Sequence, residues 1–123
     1  MFISKNDIKT AAIVGTGVIG SGWAARMLHR GINVVATDVS ESAEVYLREV
    51  IQNSEEALQR VIPVPEHKKG KLIFTRSLKE AVENADYIQE SSPEVESIKI
   101  PLLSEISKYA KPNAIIGSST SGL

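Results

Sequence analysis

The chain contains no cysteine. That excludes disulfide staples, thiolate chemistry and cysteine-ligated metals, and it leaves the redox compartment unmarked. Its two histidines, His29 and His67, are far apart in the chain, so no ligand pair and no metal site are expected. His29 suits the end of a helix and His67 lies in a Pro-bounded polar loop, Pro63 to Gly70. Both read as structural or solvated. No apolar run approaches the ~18 residues of a membrane span, and Met1 to Asp7 lacks the apolar centre of a secretion signal. No membrane partner is expected, and the cytoplasm is the expected location. Neither sign of charge prevails, with 14 basic and 15 acidic residues. The basic residues are scattered apart from His67-Lys68-Lys69, so no nucleic-acid partner is expected either.

What is present is an ordered alternation of apolar runs and helical patterns, in a chain of 123 residues, long enough to bury a core. Ala11-Ala12-Ile13-Val14 runs directly into Gly15-Thr16-Gly17-Val18-Ile19-Gly20, and a helical pattern follows. In a G-x-G-x-x-G loop placed between strand and helix, Gly15 permits the tight turn and Gly17 lets a pyrophosphate approach the backbone. Gly20 lets the helix pack closely on the strand. The first turn of the helix offers unpaired N–H groups and a positive dipole end to the phosphates, and Thr16, Val18 and Ile19 join the glycines as cofactor-binding candidates. Asp38 closes the next apolar run, 18 residues after Gly20, close to the roughly 20 expected of the acid that binds the ribose hydroxyls. Its carboxylate would repel a 2′-phosphate, and no Arg or Lys follows it before Arg48. NAD is favoured over NADP.

Strands are expected at Thr10 to Val14, Ile32 to Thr37, Lys71 to Thr75, Tyr87 to Gln89 (ending at Glu90) and Ala114 to Gly117. Helices are expected at Val18 to Arg30, from a Ser40 cap to Val61, from a Ser77 cap to Glu83, and at Glu94 to Tyr109 with Pro101 near a bend or the helix start. Ile19, Trp23 and Met27 recur at helical spacing, which makes Trp23 part of a packed face. Val45, Ala57, Leu58 and Val61 form an imperfect stripe on the second helix. Gly31 suits a left-handed helix end. Strands alternating with helices define an α/β, Rossmann-type, doubly wound parallel sheet with helices on both faces. Such sheets bind ligands beyond the carboxyl ends of their strands. The glycine loop, the Gln89 to Glu94 segment and the Ser118 to Ser121 hydroxyl cluster would all collect on that edge. Ser91 or Ser92 can cap the following helix while also touching a ligand.

These segments carry a resemblance over most of the chain. The GTGVIG loop, the aspartate after the second strand, the Q-E-x-x-P-E sequence followed by a lysine, and the S-x-T-S segment resemble the N-terminal NAD-binding domain of the L-3-hydroxyacyl-CoA dehydrogenase superfamily. The resemblance implies that residues 1–123 are one NAD-binding domain. Glu94 and Lys99 would match the family's residues near the nicotinamide ribose. Ser121 would match the hydroxyl that contacts the substrate's reacting oxygen. It also implies a reversible hydride transfer from a small 3-hydroxy acid, with the base a histidine. Neither His29 nor His67 matches that base, so the helical C-terminal domain and the base are expected beyond residue 123. This chain alone is expected to be inactive, and the whole protein a homodimer.

Within the family, Ile88 to Glu94 and Ile116 to Leu123 are most similar to the members that oxidise L-carnitine. The acyl-CoA members usually have S-N-T-S-S where this chain has Ser118-Ser119-Thr120-Ser121-Gly122. L-gulonate dehydrogenases share the glutamine-glutamate and S-S-T-S features. Two readings from other classes remain: a non-catalytic NAD-binding module and an S-adenosylmethionine-binding methyltransferase. The hydroxyl cluster weighs against the first and the pyrophosphate-facing glycine loop against the second.

Overall fold

The computed structural model describes residues 8–92 and 95–118. Five strands alternate with four α-helices. In chain order they are β1 (Thr10–Val14), α1 (Val18–His29), β2 (Asn33–Thr37), α2 (Ala43–Val61), β3 (Leu72–Phe74), α3 (Leu78–Val82), β4 (Tyr87–Glu90), α4 (Glu96–Tyr109) and β5 (Ile115–Ser118). A 3-10 turn at Glu66–Lys68 separates α2 from β3. The strands form one sheet in the order β3-β2-β1-β4-β5, and every neighbouring pair is parallel. This is the expected doubly wound sheet.

The apolar strands look the way strands do when both faces are covered. In β1, Ala11 and Ile13 join Ala24, Met27, Leu28, Val34, Ala36 and Leu47 in one core cluster. Ala12 and Val14 point the other way and pack with Ala81, Val82, Ala85, Ile88 and Ile106. Thus α1 and α2 cover one face, and α3 and α4 cover the other. Parallel pairing leaves the carboxyl ends of β1, β2, β4 and β5 on one edge. In register, Val14 lies opposite both Thr37 and Glu90, and Glu90 lies opposite Ser118.

Local signals account for several boundaries. Gly31 takes φ +87 at the end of α1, the left-handed conformation that glycine adopts without a Cβ clash. Ser77 caps α3 by accepting from the Glu80 amide. Pro101 lies inside α4, on its second turn.

Four expectations fail. Ile19 and Trp23 are exposed while Met27 is buried, so their spacing does not mark the packed face of α1. That face is made of Gly20, Ser21, Ala24, Ala25, Met27, Leu28 and His29. A helix lying this close to a sheet needs small side chains, which a hydrophobic stripe undervalues. On α2, Val45 and Val61 are exposed, and the buried residues are Ala43 and Leu47. The cap of α2 is Ser42 rather than Ser40, and it has helical dihedrals and no side-chain cap bond. Ser40 is held instead in the turn after β2, where its amide donates to Asp38 Oδ1 at 2.9 Å. Similarly, Val95 rather than Ser91 or Ser92 precedes the first residue of α4.

Candidate functional site

The glycine loop leaves β1 with Gly15 at φ +94. The Gly15 amide donates to the Thr37 carbonyl at 2.9 Å, which joins the loop to the end of β2. A Cβ on Gly15 would stand 2.8 Å from the Ser91 carbonyl carbon, and one on Gly20 would stand 1.8 Å from the Gly15 oxygen. The start of α1 therefore sits directly on the loop. Ser21 strengthens the contact by donating from Oγ to the Thr16 carbonyl at 2.8 Å.

Gly17 differs from both. A Cβ there would meet nothing within 4 Å, so its missing side chain leaves open space in front of the helix. Gly17 is the N-cap residue of α1, no side chain caps the helix, and its first turn holds no acid. Val18 and Ile19 turn outward. An open backbone at an uncapped, acid-free helix start fits a diphosphate. The residues present thus fit the pyrophosphate of a dinucleotide.

Asp38 stands at the end of β2. Its Oδ2 accepts from the Thr16 amide at 2.7 Å and from Thr16 Oγ1 at 3.3 Å, while Oδ1 accepts from Ser40. The carboxylate therefore joins the glycine loop to the turn that follows it. A cation that linear spacing misses also lies here. Arg76, from the turn after β3, donates to the carbonyls of Asp38, Ser40 and Glu41. The absence of a basic residue between Asp38 and Arg48 is a fact of sequence but not of space.

The β4 side of the edge centres on Glu90, which is fully buried. Lys99 Nζ from α4 donates to its two oxygens at 2.8 and 3.1 Å, and the ammonium is itself buried. Ser118 Oγ, at the end of β5, donates to Glu90 Oε1 at 2.8 Å. The Ser92 amide donates to Oε2 at 2.8 Å, and its hydroxyl also donates there. Burial raises the pKa of this carboxyl, but Lys99, the Ser92 and Ser118 hydroxyls and the Ser92 amide outweigh it. The net effect holds the pKa below the ordinary glutamate value. Glu90 is thus an ionised carboxylate that ties the β4 loop, α4 and β5 together. The Ser91 amide completes the seam by donating to the Val14 carbonyl at 2.8 Å.

The structure therefore gathers Gly15, Thr16, Gly17, Val18, Ile19, Gly20 and Asp38 on one half of the edge and Lys99 on the other. Glu94 and Ser121 lie outside the described residues. The Lys99 ammonium is engaged with Glu90, a partner the motif alone does not name. His29 is buried near the end of α1, where its Nε2 donates to the Ile62 carbonyl, and His67 lies in the 3-10 turn. A cavity of about 310 Å³ opens between α1, α2 and β3, lined by residues such as Ala25, His29, Arg48 and Glu55. None of those four belongs to the glycine loop or the Glu90 cluster.

Residues 10–123 match the family model for the 3-hydroxyacyl-CoA dehydrogenase, NAD binding domain. The chain belongs to that family, and NAD is its cofactor. Among its relatives are the L-carnitine dehydrogenase of Pseudomonas putida, 50% identical over 117 residues, and that of Staphylococcus epidermidis, 55% identical over 113 residues. These matches cover 95% and 91% of this chain but only 36% and 35% of the two relatives. The chain thus spans about a third of their length. The fold is similar to that of (S)-3-hydroxybutyryl-CoA dehydrogenase from Ralstonia eutropha, with a TM-score of 0.78 and 28% identity. That match covers 94% of this chain and 42% of the other.

Proposed function

We propose that this chain is the NAD-binding part of a dehydrogenase that oxidises the 3-hydroxyl of L-carnitine to the ketone, 3-dehydrocarnitine. The observation that carries this reading is identity of 45–55% to L-carnitine dehydrogenases over nine-tenths or more of the chain. Identity to the (S)-3-hydroxybutyryl-CoA enzyme from Ralstonia eutropha is 28%. The open Gly17 backbone and the start of α1 hold the pyrophosphate, and Asp38 accepts the ribose hydroxyls. Glu94 serves the nicotinamide ribose, and Lys99 acts at that end through Glu90. Ser121 donates to the substrate's reacting oxygen.

When bound, NAD supplies the hydride acceptor. The work left to this chain is to hold the cofactor and to orient the hydroxyl-bearing carbon beside it. A proton-accepting base within reach of the hydroxyl is also required, and neither His29, bonded to the Ile62 carbonyl, nor His67, in the 3-10 turn, belongs to the glycine loop or the Glu90 cluster. Homodimerisation and a cytoplasmic location complete the proposal.

The test is NADH formation by the protein carried to the full length of its relatives, offered L-carnitine, L-gulonate and a 3-hydroxyacyl-CoA in parallel. The expected result is the highest kcat/KM on L-carnitine. Preference for either competitor would overturn the substrate assignment, and no NADH with any of the three would overturn the dehydrogenase reading.

A further inference from the structure

Arg76 follows Asp38 by 38 residues in sequence yet holds the turn that carries it. The arginine projects from a braced segment. The Glu80 amide donates to Ser77 Oγ at 3.2 Å, the Ser77 amide donates to Thr75 Oγ1 at 3.1 Å, and Thr75 Oγ1 donates to Glu80 Oε2 at 2.9 Å. Its guanidinium lies 4.9 Å from the centre of the Phe74 ring, a cation–π contact that fixes its plane. From there Nη1 donates to the Asp38 carbonyl at 2.9 Å and to the Ser40 carbonyl at 2.5 Å, and Nη2 donates to the Glu41 carbonyl at 3.3 Å. The turn is therefore held on one side by the Asp38 carboxylate and on the other by a cation. A guanidinium stays charged at all accessible pH, and its planar fork suits acceptors fixed in space.

We infer that Arg76 is a positioning and specificity-determining residue for the adenosine ribose of NAD. It fixes the Asp38 to Glu41 turn and places a permanent positive charge at the main-chain carbonyl of the residue whose carboxylate reads the ribose hydroxyls. A lone carboxylate rejects a 2′-phosphate by repulsion, and a neighbouring guanidinium offsets part of that repulsion. Rejection of NADP is therefore weaker than Asp38 alone would impose. The inference rests on Asp38 being the ribose acid.

The experiment is calorimetric titration of NAD and NADP into the protein and its Arg76→Ala, Arg76→Lys and Asp38→Ala variants, with thermal melts to establish that each is folded. Arg76→Ala is expected to weaken NAD by about fivefold and NADP by at least about threefold more. The ratio of NADP to NAD dissociation constants then rises. Arg76→Lys keeps the charge and loses the fork, so the weaker NAD binding persists while the ratio returns to that of the parent. Unchanged NAD affinity in folded Arg76→Ala would overturn the positioning role. Equal weakening of both ligands would overturn the specificity role. If Asp38→Ala leaves NAD affinity intact, the ribose-acid reading itself fails. If Asp38→Ala weakens NAD and Arg76→Ala does not, only the Arg76 inference falls.

Discussion

Strand β4 meets a lysine–carboxylate pair at each end, in very different surroundings. At the amino end Asp86 pairs with Lys111 at 2.5 Å, with side chains 23% and 33% exposed. At the carboxyl end Glu90 pairs with Lys99, and the exposures are 0% and 7%. Each carboxylate joins several segments. Asp86 accepts from the amides of Lys9 and Thr10 at the start of β1, and Glu90 accepts from Ser92, Lys99 and Ser118. The difference is water. A partly hydrated pair contributes little because solvent competes for both ions. A buried pair also contributes little net, yet breaking it is severe because one charge is stranded. The same chemistry is a replaceable seam at one end of the strand and a fixed constraint at the cofactor edge.

Removing Lys99 separates the two ends most sharply. Lys99→Met leaves the Glu90 carboxylate buried without its cation, and denaturant melts should show a loss of about 3–5 kcal/mol. Replacing both partners, as Glu90→Leu with Lys99→Met, should return most of that stability while leaving Ser92 and Ser118 without their acceptor. A loss below about 1 kcal/mol in the single variant would place the pair with the exposed ones and erase the contrast.

Acid should act on both ends in the same direction. Burial opposes but does not cancel the pull of Lys99 and the hydroxyls on Glu90. At Asp86 the hydrogen bond from Lys111 leads the lowering, with the Lys9 and Thr10 amides adding to it against a partial burial cost. Both folded pKa values therefore lie below the ordinary 4.5 and 3.8. The stabilisation is complete above those values and is lost as pH falls through the folded ones. Stability followed by denaturant melts should drop on acidification. The drop should be shallower in the Glu90→Leu, Lys99→Met double variant and slightly shallower in Asp86→Asn. Stability that rises below the ordinary carboxylate range would contradict the sign.

The smallest effect is expected at the amino end. Lys111→Met should cost about 0.2–1 kcal/mol, and molar salt should remove most of the difference. NAD affinity measured by calorimetry should not change, because Asp86 and Lys111 lie at the opposite edge of the sheet from the glycine loop. A salt-insensitive loss of several kcal/mol would mean that this pair, too, is effectively buried.

The succession of strands and helices along the chain, the glycine turn after β1, the place of Asp38 at the end of β2 and the Gly31 helix end were legible in the sequence, because each depends on neighbouring residues. Contacts that bridge distant segments were not. Arg76 meets Asp38 only because β3 lies beside β2. Glu90 meets Lys99 across a loop from strand to helix, although a trace of that pairing exists in α4. Lys99, Leu102, Leu103 and Ile106 share helical spacing, and the last three are apolar. A lysine on an apolar stripe needs a buried acid, and Glu90 closes the preceding apolar strand. The outward turn of Ile19 and Trp23 left a fainter trace: Gly20, Ala24 and Leu28 recur at helical spacing on the face that packs, but small side chains weigh little in a hydrophobic stripe.

The contact between Gly20 and Gly15 also bears on how such a domain can change. No side chain is smaller than glycine's, and even the single carbon of alanine at position 20 would stand 1.8 Å from the Gly15 oxygen. The helix would have to back away from the loop, and Gly15 is tied in turn to Thr37 and packed against Ser91. A substitution there disturbs both halves of the edge together. The rim formed by Ser40, Glu41 and Arg76 is solvent-facing and can vary one residue at a time. Evolution of a new nucleotide preference in this fold has its freedom at the rim, around a loop that cannot move with it.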